Sequence, residues 1–167
     1  VLNPKRQDCA YPFKELCGCG VGFKLIQAYL KDQNLDASIA FQYLDLVAVA
    51  IGADIVPIIG ENRVLAFYGL KCLNESPRPG IKALTRDHKR FGEMTITDIV
   101  FTIAPRINAA GRMKHAKNAV RLLIEKNEKM AIKTAQEIEA YNTDRRAEDK
   151  RITKEALAQI RAANNQE

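Results

Sequence analysis

The chain has 167 residues, 47% of them apolar and 28% charged, which suits one compact soluble domain with a real core and excludes extensive disorder. Its longest uncharged apolar run, Leu46 to Ala53, is bounded by Asp45 and Asp54 and is far too short to cross a bilayer, so no membrane span is expected. The net charge of +6 is unevenly placed: residues 1–98 hold 12 basic and 11 acidic side chains, residues 99–124 hold five basic and none acidic, and residues 125–167 hold nine of each.

Val1 to Arg6 carries neither an apolar signal core nor an initiator Met, the expectation for a piece of a longer polypeptide. Leu2 to Pro12 reads as an extended segment or loop, because each proline disfavours helix in the residue before it. Gly18-Cys19-Gly20-Val21-Gly22 then reads as a loop opening a helix with Phe23, Leu25, Ile26, Tyr29 and Leu30 at helical spacing. The full dinucleotide-binding spacing is absent, which favours tight backbone packing over nucleotide binding. Among the four cysteines there is no C-x-x-C pair, and Cys17-x-Cys19 cannot alone build a tetrahedral zinc site. Reduced, partly buried thiols of a cytoplasmic protein are expected.

Ser38 is a candidate N-cap for a helix with Ile39, Tyr43, Leu44, Val47, Ala48 and Ile51 on its apolar stripe. Pro57 closes that helix and leaves Asp54 near its C-terminal end. A carboxylate there meets the negative end of the helix dipole, and one inside an apolar run must be paired, neutralised or bound to a cation. Metal binding and pairing with Arg63 both remain open on these grounds.

After a Gly60-Glu61-Asn62-Arg63 turn, Leu65, Tyr68, Cys72 and Leu73 predict a further helix, and Asn74 to Gly80 reads as an exposed turn. Thr97 is placed as the cap of a short helix over Asp98–Phe101 that Pro105 ends. Ala116 to Ile124 reads as another short helix. From Glu128 to Ala163 there is neither Gly nor Pro, and one helix of 36 residues would be roughly 54 Å long. Lys133–Glu137, Arg145–Asp149 and Arg151–Glu155 are spaced as i,i+4 ion pairs. The apolar stripe of that helix holds Ala131, Ala135, Ile138 and Tyr141, lapses between Asn142 and Arg151, and returns at Ile152, Ala156 and Ile160. A helix polar all round at its middle bridges solvent between two packed bodies.

The chemistry-bearing stretch is Ile103 to Arg112, with guanidiniums at Arg106 and Arg112, an amide at Asn108 and small residues between them. It falls in the acid-free segment. That pattern lets backbone and side chains approach an anionic polymer, although a solvated basic surface fits the charge equally.

These residues resemble a known family. Asn3-Pro4-Lys5, Leu16 to Lys24, Ala53-Asp54-Ile55-Val56-Pro57, Gly60 to Arg63, Pro105 to Arg112, and Asn142 with Arg145 look like bacterial RecJ, single-strand-specific DNA exonucleases of the DHH phosphoesterase superfamily. The resemblance implies a mainly α segment, the helical C-terminal part of an α/β DHH domain over residues 1–126, followed by a long connector helix over residues 127–167. It implies a hydrolase that degrades single-stranded DNA from the 5′ end in repair and recombination, with Mn²⁺ or Mg²⁺ in a two-metal site. Asp54 would be one ligand, while an Asp-x-Asp pair, a further Asp and an Asp-His-His triplet would precede Val1, since His88 and His115 follow no such pattern. Arg106, Asn108 and Arg112 would contact strand phosphates. Two alternatives are a non-enzymatic helical nucleic-acid-binding module and a DHH phosphoesterase acting on short oligonucleotides.

Overall fold

A computed structural model describes residues 2–86, 92–113 and 116–164, with side chains omitted at 112, 113 and 164. It is 76% helical, and no strand occurs among the described residues. The segment is therefore mainly α, as expected.

Helix α1 spans Gly18–Asp32, so the glycines form its first turn rather than a loop before it. Extended backbone at Cys17 makes this residue the N-cap, and its thiol accepts the Gly20 N–H at 3.3 Å. A thiol cap is not among the usual signals, which explains the misplaced start. Gly20, Phe23 and Leu30 face the core, whereas Leu25 and Tyr29 are exposed.

A 3₁₀ helix, Ala37–Tyr43, precedes α2, Leu44–Asp54. Its cap is Asp36 and not Ser38: the Asp36 carboxylate accepts the Ser38 N–H at 2.9 Å and the Ser38 hydroxyl at 2.5 Å. Ile39 is exposed as a result. Helix α2 has no polar face, because it is wedged between two apolar clusters. Leu44, Val47 and Ile51 pack with α1 residues such as Phe23 and Leu30, while Ala48 and Val49 pack with Leu73, Ile99 and Ile138. By length and hydropathy alone the window Ala37–Asp54 reaches the level of a membrane-spanning helix. Its change of helix type at Leu44 and the buried ion pair of Asp45 with Arg78 mark it instead as a core element.

Helix α3 is Gly60–Glu75, so Gly60 to Arg63 are its first turn, and α4 is Pro79–Thr85. Leu65 and Leu73 are buried as expected, but Tyr68 is exposed. Gly80, read as part of an exposed turn, is buried in α4 at a close crossing: a Cβ there would lie 2.1 Å from the Leu122 carbonyl oxygen.

Pro105 does not end a helix. Thr95, not Thr97, is the cap of this region, forming a reciprocal box with Asp98 at the start of α5, Ile96–Asp98. The chain then continues helically through a π segment, Ile99–Ile103, into α6, Ala104–Met113, with Pro105 as its second residue. Proline has no N–H for the carbonyl one turn back, and the wider π turn before it accommodates that loss without ending the helix.

Helix α7 occupies Ala116–Ile124 and α8 Glu128–Asn164, close to the expected bounds. Ala131, Ala135 and Ile138 are buried against α4, α6 and α7, and Asn142 joins them in the core. From 146 to 163 every residue is exposed. The Arg145–Asp149 and Arg151–Glu155 pairs close at 2.5 and 2.6 Å, whereas Lys133–Glu137 does not form.

Candidate functional site

Three sequence motifs meet at one corner of the fold. Asp54 is the last residue of α2, and the turn that follows it runs to Pro57 and then into α3. Asn62, fully buried in the first turn of α3, donates through Nδ2 to the Glu15 carbonyl at 2.7 Å and to the Pro57 carbonyl at 3.0 Å. One amide thereby ties the turn after Asp54 to the segment leading into α1. Glu61 beside it accepts from the Tyr11 hydroxyl at 2.9 Å and pairs with Lys24 of α1 at 2.6 Å. Gly60 opens α3 with φ +49°, and the Phe13 ring covers it so closely that a Cβ would lie 2.7 Å from Cε2. Both requirements point to glycine there.

Asp54 itself is exposed. The apolar run before it faces the two core clusters, but the carboxylate sits where the helix emerges, so it is not a buried acid. No hydrogen bond or ion pair engages it among the described residues, and Arg63 does not pair with it. The next residue, Ile55, caps α2 in the left-handed region with φ +53° and ψ +40°. A β-branched side chain is strained in that conformation. Strain of this kind clusters at functional sites.

Asp54 also lies close enough to the start of α1 to act on its thiols. Burial pushes the Cys17 thiol up, with the Asp54 charge adding to it. Cys19 is pushed up to about 11, first by desolvation and then by Cys17, Asp54 and Asp45. Cys17 is buried and therefore protonated and inert near neutrality, whereas Cys19 is exposed to solvent.

The second grouping lies between α6 and α8. Arg106, whose side chain is 18% exposed, donates through Nε to Glu139 and through Nη1 to the Thr102 carbonyl at 2.7 Å. Glu139 Oε1 accepts from Asn142 Nδ2 at 3.5 Å, and Asn142 Oδ1 accepts from Arg145 at 3.3 Å. Arg106 and Glu139 share one wall of an open cleft of about 650 Å³, with Arg86, Gln136 and Thr143 also on its lining. Asn108 is exposed on α6. The Arg112 side chain lies outside the described residues, as do His88 and His115. Sequence reasoning named Asn142 and Arg145 but not Glu139, the partner of Asn142 and Arg106, which is 33 residues from Arg106 and has nothing in its local pattern to mark it.

The residues present do not build a closed metal site. No cluster of three or more His, Cys, Asp or Glu suited to a metal occurs among the described residues. Glu61 is taken by Tyr11 and Lys24, and Asp45 by Arg78. Hard divalent cations need several oxygen ligands, and Asp54 offers one open carboxylate.

No family model matches the chain. Similar proteins nevertheless cover nearly all of it. The single-stranded-DNA-specific exonuclease RecJ of Bacillus subtilis is 37% identical over 161 residues, 96% of this chain and 20% of that protein. The corresponding RecJ of Escherichia coli is 36% identical over 94% of this chain and 29% of that protein. The chain thus spans between a fifth and three-tenths of the length of these curated relatives. Among solved structures, RecJ from Thermus thermophilus in complex with Mn²⁺ superposes with a TM-score of 0.80 at 31% identity, over 90% of this chain and 22% of that one. An exonuclease RecJ bound to manganese gives 0.79 at 32% identity over 90% and 38%. By its sequence along nearly its whole length and by the course of its backbone, the chain is a RecJ-like helical segment.

Proposed function

We propose that the protein to which this chain belongs is a metal-dependent exonuclease that hydrolyses phosphodiester bonds of single-stranded DNA from the 5′ end, in the cytoplasm, in repair and recombination. The observation that carries this reading is the match to RecJ proteins solved with Mg²⁺ and Mn²⁺, and it agrees with the open carboxylate that Asp54 presents on a braced corner. Bound Mn²⁺ or Mg²⁺ would supply Lewis acidity at the scissile phosphate and a nucleophilic water.

This chain's own contribution is positional. Asp54 offers one metal ligand, held at the end of α2 by the Asn62 tie between the adjoining segments. Arg106, Asn108 and Arg112 contact backbone phosphates, in keeping with the five basic and no acidic side chains of residues 99–124. Residues 1–126 belong to the catalytic domain and 127–167 to a connector helix. Asp54→Ala in the full-length protein should abolish single-strand digestion while leaving thermal melting near normal, because an exposed carboxylate contributes little to stability. Near-normal digestion with Mn²⁺ supplied overturns the metal role.

A further inference from the structure

We infer that Glu139 is the positioning residue for Arg106, holding its guanidinium so that Nη2 is the donor left for a strand phosphate. The inference rests on the phosphate role proposed for Arg106.

An arginine that contacts a phosphate must be held in one orientation, since its long side chain otherwise loses rotamer freedom on binding. Here two of its three nitrogens are already committed: Nε to the Glu139 carboxylate and Nη1 to the Thr102 carbonyl one turn back on its own helix. No acceptor for Nη2 occurs among the described residues. Arg106 lines the open cleft beside Arg86, Gln136 and Thr143, with Glu139 the acid on that lining. The other oxygen of Glu139 makes a long contact of 3.5 Å with Nδ2 of Asn142, which is fully buried and accepts from Arg145. The carboxylate thus joins Arg106 of α6 to α8, with its side chain 41% exposed. This arrangement pre-orients the arginine and also offsets its charge, and the two effects can be separated by substitution.

The test is equilibrium binding of a 5′-phosphorylated oligo-dT to the full-length protein in chelator, where no turnover occurs, at several salt concentrations. Arg106→Ala should flatten the slope of log affinity against log salt by ~0.7, the value for one phosphate contact on a single strand. Glu139→Ala should lower affinity at every salt concentration without flattening the slope, since the charge stays but must be ordered on binding, and the double variant should bind no more weakly than Arg106→Ala alone. Glu139→Gln keeps an acceptor for Nε and removes the opposing charge, so its slope should be unchanged and its affinity equal or higher.

An unchanged slope in Arg106→Ala would show that the phosphate reading itself fails. A flattened slope in Arg106→Ala together with unchanged or higher affinity in Glu139→Ala would overturn the positioning role and leave that reading standing. Melting curves of all four variants report folding, and an affinity that follows loss of melting temperature, with Glu139→Gln no better than Glu139→Ala, likewise overturns it.

Discussion

Replacing Arg78 by alanine tests whether α2 is held in place by a buried ion pair. Arg78, the residue before α4, donates through Nε to Asp45 Oδ2 and through Nη2 to Asp45 Oδ1 at 3.0 Å, and it also reaches the Gln42 carbonyl. The Asp45 side chain is 7% exposed and that of Arg78 24%. Removing one partner of a buried pair costs about 3–5 kcal/mol because the other charge stays behind without compensation. The partial exposure of Arg78 puts the expected loss at the lower end, about 3 kcal/mol. With a urea m value of about 2 kcal/mol/M, the midpoint should fall by about 1.5 M. Asp45→Leu combined with Arg78→Met removes both charges at similar volume and should restore the midpoint to within about 0.5 M, since a packed apolar pair often matches a buried ionic one. The assay is urea denaturation followed by far-ultraviolet circular dichroism on the wild type, both single variants and the double variant. A midpoint shift below about 0.3 M for Arg78→Ala refutes the reasoning, because it means that Asp45 is solvated when left alone.

Ile55→Gly should stabilise the chain by about 1 kcal/mol by relieving the left-handed strain at the end of α2, as read by the same urea titration; a lower midpoint shows that the strain is not there. Gly80→Ala should destabilise by about 1–3 kcal/mol, because its Cβ meets the Leu122 carbonyl and the α4–α7 crossing must widen. Asp54→Asn removes one of the negative charges that hold Cys17 and Cys19 protonated, so both thiols should titrate lower and Cys19 should alkylate faster at pH 8. Unchanged alkylation kinetics place Asp54 away from the start of α1. This readout needs neither metal nor DNA.

The parts of the fold legible in the sequence are those whose determinants are local. Helix α8 is readable because an unbroken run of helix formers from Glu128 needs no partner to specify it, and the stripe Ala131, Ala135, Ile138 marks its packed side. Pro105 misleads because proline normally ends a helix, and only the surrounding packing of Ile99 and Ile103 against the core carries the chain through as a π turn. Asp54 reads as an acid within an apolar run. Its position at the end of α2 follows from the sequence, but its exposure depends on where the helix leaves the core. The ties that shape both groupings are contacts between distant residues: Asn62 with Glu15, Glu61 with Tyr11, Arg106 with Glu139. No periodicity or motif spacing encodes them.

Helix α8 has a mechanical consequence. It is clamped along one side through Asn142, and from 146 to 163 every residue is exposed, a length of roughly 27 Å. Over that span a rotation of about one degree at the clamp displaces the far end by about 0.5 Å. The clamp joins Ala131, Ala135 and Ile138 with the buried Asn142 and the partly buried Tyr141, so their joint packing sets the angle. A slight repacking around these residues is therefore magnified along the exposed part of the helix.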